Sequence, residues 1–80
     1  MRVLVVDDEA VARELAIEVL VDAGFDALGA NDPVQAMEVL GEAEPAIDVL
    51  LTDVRMPGGS GIDLAGIAKR LWPGLKVVIT

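Results

Sequence analysis

Residues 50–61 read LLTDVRMPGGSG. The apolar run Val49-Leu50-Leu51-Thr52 stops on a carboxylate, Asp53, and a Met-Pro-Gly-Gly loop follows at once. A short run apolar on both faces fits a central parallel strand covered by helices on each side. A second run, Val3 to Val6, ends in the same way on Asp7-Asp8-Glu9. Two strands that each carry acids to their own tip suggest a shared site.

The intervening sequence alternates helix and strand signals. Ala10 to Ala23 carries Ala12, Leu15, Ala16, Val19 and Leu20 at helical spacing, with Gly24 as a stop. Phe25 to Ala30 reads as a weaker strand, nearer an edge. Asn31-Asp32-Pro33 starts the next helix, with Asp32 as N-cap and Pro33 at the first helical position. Val34, Met37 and Leu40 continue on one face until Gly41. A polar connection containing Pro45 leads to the strand Asp48 to Thr52. Ser60 lies three residues before Asp63, a variant of capping-box spacing. Leu64, Ala68 and Leu71 then share a face until Trp72-Pro73-Gly74 breaks the helix. Leu75 to Ile79 is the fourth strand, followed by Thr80. The order β-α-β-α-β-α-β implies right-handed crossovers and an open parallel sheet in an α/β fold, with 1–80 as one small domain.

Composition narrows the functions. The 80 residues are 54% hydrophobic and 25% charged, as in a folded chain, and carry a net charge of −8. There is no basic patch to neutralise phosphates, which argues against direct nucleic-acid binding. An acidic balance suits a cation or a partner with a basic face. The chain has no cysteine and no histidine, so thiolate and imidazole metal sites are excluded. No apolar segment approaches the ~18 residues of a spanning helix, and acids interrupt the N-terminal run too early for a signal peptide. A soluble intracellular protein without membrane contact is expected.

Ligands of open parallel α/β sheets bind at the carboxyl ends of strands where the winding reverses. If the strands ending at Val6 and Thr52 are neighbours, Asp7, Asp8 and Asp53 converge there. Three close carboxylates repel one another by several kcal/mol at a protein-like dielectric of about 20, and a bound cation removes that repulsion. All-oxygen ligands suit Mg²⁺. A carboxylate beside bound Mg²⁺ can act as a nucleophile toward phosphorus. Simpler roles exist for each residue taken singly. Asp7 or Asp8 could cap the first helix, Asp53 could open an Asx turn, and Thr80 could be an ordinary strand residue. The glycines of GGSG could serve only a tight turn, since no Lys-Ser/Thr follows to make a phosphate loop. The combination of acids after two strands favours a coordinated site.

The chain resembles the receiver domains of two-component response regulators. VLVVDDE, Gly24-Phe25, DVLLTDVRMPGGSG and KVVIT carry the resemblance, which extends over essentially the whole sequence. It implies a doubly wound, flavodoxin-like fold with Asp53 as phosphoacceptor. Asp7 and Asp8 would hold Mg²⁺ with Asp53 and the backbone carbonyl of Arg55. Thr80 matches the hydroxyl residue that hydrogen-bonds the new phosphoryl group, and Pro57 and Gly61 match the loop before the third helix. The implied donor is a histidine kinase or a histidine phosphotransfer protein, and the implied location is cytoplasmic.

The sequence departs from the family pattern in two places. Gly59-Ser60 stands where Met-Asp is usual, though Ser60 can still cap the helix. The family continues with a further helix, a strand bearing a phosphate-binding Lys, and a last helix. Neither Lys69 nor Lys76 is placed to replace that Lys, so the expected reading is a receiver truncated after its fourth strand. An apolar strand edge left open in this way invites a homodimer or exchange of elements. Met1 directly before the first strand fits a receiver at the N-terminus of its protein. Two other classes compete: an inert interaction module with a degenerate site, and a Mg²⁺-dependent phosphohydrolase. The phosphohydrolase would need an acid two residues after the nucleophile, where this chain has Arg55.

Overall fold

A computed structural model describes residues 1–56 and 59–80. Pro57, matched above to the family loop, lies outside the described residues. In chain order the elements are β1 (Arg2–Val6), α1 (Ala10–Asp22), β2 (Asp26–Ala30), α2 (Pro33–Glu42), β3 (Val49–Thr52), β4 (Arg55–Met56), β5 (Gly59–Ser60), α3 (Gly61–Leu71) and β6 (Lys76–Ile79). The four main strands form a parallel sheet in the order β2-β1-β3-β6. The expected edge position of β2 is therefore observed. The short antiparallel pair β4-β5 is an addition to the expected order. Two-residue strands are too short to leave a periodic signal in sequence.

The chain steps from β1 outward to β2, then back across β1 to β3 and on to β6. The winding thus reverses between β1 and β3. The main core is one cluster in which Leu4, Val6 and Leu50 of the sheet meet Ala36 and Leu40 of α2 and Leu64 and Ala68 of α3. Leu4 and Leu50 are fully buried. Burying a Leu side chain contributes about 1.5–3 kcal/mol, so these central strands supply much of the stability of a small domain.

The helix starts follow local chemistry. The Asp32 carboxylate accepts a hydrogen bond from the Gln35 amide at 2.7 Å, and the Gln35 side chain accepts one from the Asn31 amide at 2.7 Å. The Ser60 hydroxyl accepts from the Ile62 amide at 3.1 Å and caps α3. At the far end of the sheet, Arg2 Nε donates to Asp26 at 2.9 Å and the Asp48 carboxylate accepts from the Arg2 amide at 2.8 Å. Trp72 packs half-buried against the core just past α3.

The buried helix faces keep part of each expected set, Ala16 and Leu20 in α1, Met37 and Leu40 in α2, Leu64 and Ala68 in α3, and depart from the rest. In α1, Ala12, Leu15 and Val19 are exposed, while Arg13, Ala16, Ile17 and Leu20 are half-buried. This helix is apolar around most of its circumference, so periodicity alone selects no face. The close fit of Arg13 and Ile17 over Gly29 of β2 makes the selection. In α2, Val34 is exposed and Ala36 with Leu40 forms the buried stripe. In α3 the stripe runs Gly61, Leu64, Ala68 and on to Trp72, leaving Leu71 exposed. The step of four from Ala68 to Trp72 continues the stripe better than the step of three.

Candidate functional site

Strand register builds the site. Val6 pairs with Thr52, and Thr52 pairs with Ile79. The following residues, Asp7, Asp53 and Thr80, therefore leave the sheet side by side. Main-chain bonds extend the ladder one step further. The Asp53 amide donates to Val6 O at 3.1 Å, Thr80 to Thr52 O at 3.0 Å, and Asp7 to Ala30 O at 3.1 Å. The backbone alone fixes where each side chain begins, at the point where the winding reverses.

Asp7, Asp8 and Asp53 each offer a carboxylate oxygen, and these oxygens lie within 4.8 Å of one another. Asp7 and Asp53 are half-buried, and Asp8 is exposed. A cavity of about 130 Å³ opens beside them, lined by Asp7, Asp53, Thr52 and Thr80 over a floor that includes Val5 and Leu51. A larger cavity of about 720 Å³ between α3 and β6 is lined by no acid and lies away from this cluster. The donor set fits a hard divalent cation, because it is all carboxylate oxygen and the chain has no thiol or imidazole to compete.

The simpler roles are partly observed. The Asp7 carboxylate accepts a hydrogen bond from the Glu9 amide at 2.9 Å, an Asx turn that shapes the entry to α1. The N-cap residue of α1 is Glu9, with no side-chain cap, so neither Asp7 nor Asp8 caps that helix. An ionised carboxylate accepts several bonds, so this turn leaves Asp7 with capacity for a ligand.

Gly61 matters more than a loop residue would. A Cβ at this position would fall 1.9 Å from Asp53 O and 3.1 Å from Thr52 Oγ1. The start of α3 therefore rests directly on the backbone of Asp53, held by a 2.8 Å bond from the Gly61 amide to Val54 O. Arg55 lies in β4, pairs with Ser60 and exposes its side chain to solvent. Lys69 donates from Nζ to Leu75 O at 2.6 Å, at the end of β6 opposite Thr80. Neither Lys69 nor Lys76 lines the acidic cavity.

Two residues at the site had no role in the sequence reading. Thr52 is buried, and its hydroxyl donates to Asp53 O at 3.1 Å. Arg13 donates from its guanidinium to Asp7 O at 2.8 Å. A polar residue closing an apolar strand was the available signal for Thr52. Arg13, the one basic residue of α1, was the signal for itself.

Residues 3–80 match the family described as response regulator receiver domain. The chain belongs to this family. It is a receiver of two-component signalling, with the doubly wound receiver fold. It is 40% identical over 82 residues to protein-glutamate methylesterase/protein-glutamine glutaminase 1 of Albidiferax ferrireducens, covering all of this receiver and 21% of the relative. It is 43% identical over 68 residues to the phosphate regulon transcriptional regulatory protein PhoB of Pseudomonas aeruginosa, covering 85% of the receiver and 29% of the relative. The receiver thus spans less than a third of these two relatives.

The response regulator TrrA of Thermotoga maritima, solved with Mg(2+)-BeF, superposes with a TM-score of 0.91 at 32% identity. That match covers 98% of the receiver and 66% of the TrrA chain. TrrA has also been solved in complex with the histidine kinase ThkA, with a TM-score of 0.89 and the same coverage. No helix among the described residues is long and apolar enough to cross a membrane.

Proposed function

We propose that this receiver accepts a phosphoryl group on Asp53 from the phosphohistidine of a histidine kinase or histidine phosphotransfer protein. The observation that carries the reading is the convergence of Asp7, Asp8 and Asp53 within 4.8 Å at the strand ends. A carboxylate oxygen of Asp53 forms the new O–P bond as the N–P bond of the donor breaks. The imidazole leaves with the electron pair of that bond. Asp7, Asp8 and Asp53, with the Arg55 carbonyl, would hold Mg²⁺. When bound, this ion supplies positive charge that offsets the phosphoryl oxygens. Thr80 lines the same cavity and donates its hydroxyl to the phosphoryl group once it is in place.

Receiver relatives support the donor class, since TrrA has been solved with a histidine kinase. The relation to TrrA solved with Mg(2+)-BeF supports the metal. On this reading the chain accepts a group from a partner instead of turning over a metabolite. Exposed Arg55 stands where a phosphohydrolase would need its second acid, which favours the acceptor role. The role places the receiver in the cytoplasm, with its donor.

Intact mass after incubation with Mg²⁺ and acetyl phosphate tests the reading. A gain of one phosphoryl group that disappears on chelation and in Asp53→Asn is expected. An equal gain in Asp53→Asn would overturn it.

A further inference from the structure

The turn between β1 and α1 carries two of the three acids, and α1 itself reaches back to hold it. Arg13 lies one turn into α1, half-buried, with its stem laid across β2. A Cβ on Gly29 would approach Arg13 Cδ to 3.1 Å and Ile17 Cδ1 to 3.0 Å, so the absence of a side chain at 29 makes the channel through which Arg13 runs. At the end of that channel the guanidinium donates to Asp7 O at 2.8 Å. The Asp7 peptide is thus held from three sides. Its amide is bonded to Ala30 O, its carbonyl to Arg13, and its carboxylate to the Glu9 amide.

We propose that Arg13 is a positioning residue for the metal site. Threaded between α1 and Gly29, it clamps the carbonyl of Asp7 so that the Asp7 and Asp8 carboxylates meet Asp53. The proposal rests on the metal-dependent reading above. Two effects of the guanidinium oppose each other. Its positive charge beside the acids repels a cation, while its hydrogen bond pre-orders the ligands. Partners that orient a metal ligand typically contribute 10–100-fold in affinity when they are removed. The structure favours the ordering effect, because the guanidinium is bonded to the main chain of Asp7 instead of to any of the three carboxylates.

The two effects differ in sign, so calorimetric Mg²⁺ titration of the unphosphorylated chain separates them. Arg13→Met keeps much of the stem and loses the donor, and its Mg²⁺ dissociation constant is expected to rise about tenfold. Arg13→Lys, which keeps a charge and a donor, is expected to recover part of that loss. Gly29→Ala leaves every charge in place but crowds Arg13 Cδ, and is expected to weaken binding in the same direction. Circular dichroism should show Arg13→Met folded, and Asp32→Ala, which loosens the α2 cap away from the site, should leave the dissociation constant unchanged, so a rise in Arg13→Met is not general damage to the fold. Unchanged or tighter Mg²⁺ binding by a folded Arg13→Met would overturn the proposal and leave the proposed function standing. No Mg²⁺ binding by the unaltered chain would overturn both.

Discussion

The first residue of α3, Gly61, sits against the backbone of Asp53 so closely that a β-carbon at 61 would lie 1.9 Å from the Asp53 carbonyl oxygen. The residue proposed to carry the phosphoryl group is therefore braced by a helix start as well as by the strand that delivers it. The main chain from which its carboxylate projects is thereby held in place. The tip of β3 is a rigid mount because the sheet holds one side and Gly61 the other.

Gly61→Ala is expected to be severe, since the obstructing atoms are main-chain atoms that cannot rotate aside. Overpacking of this kind costs about 1–3 kcal/mol. Denaturant unfolding should show the loss. Labelling of Asp53 by acetyl phosphate should fall as well, because the backbone that must move is that of Asp53.

Asp8→Asn separates stability from metal affinity. Removing one of three clustered charges relieves repulsion, so the metal-free chain is expected to melt at a higher temperature. Across about 4 Å of water a unit-charge pair interacts by about 1 kcal/mol, so a carboxylate contributes about 2 kcal/mol toward a divalent ion, or about thirtyfold. Calorimetry should find Mg²⁺ affinity lower by that order. Thermal stabilisation by Mg²⁺ should shrink in parallel.

Thr80 shares the cavity of Asp53 and Asp7. Thr80→Ala should still take up a phosphoryl group, because the nucleophile and the acids remain. What it should lose is the response of the strand end. Backbone amide shifts over residues 78–80 should change on phosphorylation in the unaltered chain and change much less in the variant.

The cap of α2 is independent of the site and provides a control. Asp32→Ala removes the acceptor for the Gln35 amide, and loss of such a cap costs about 0.5–2 kcal/mol. Unfolding should register that loss. Mg²⁺ affinity should be unchanged.

The acid-tipped strands and the capped helix starts were legible because their signals are local. An apolar run that stops on Asp, or Asp-Pro before a helix, carries its meaning within a few residues. The helix faces were harder to read. In α1 apolar residues surround the axis, and only the close approach of Gly29 decides that Arg13 and Ile17 turn inward while Leu15 and Val19 do not. Arg13 and the contact between Gly61 and Asp53 were hidden for the same reason. Each acts on a residue brought near by folding: Arg13 on Asp7 across a helix turn, and Gly61 on Asp53 across the β4-β5 pair.

The most direct test of the account is the location of the phosphoryl group. The chain should be labelled with acetyl phosphate and Mg²⁺, reduced with borohydride to convert an aspartyl phosphate to homoserine, and digested for peptide sequencing. The account predicts homoserine at position 53 and none at 7 or 8. Homoserine at Asp7 or Asp8, or phosphate on a hydroxyl such as Thr80, would contradict it.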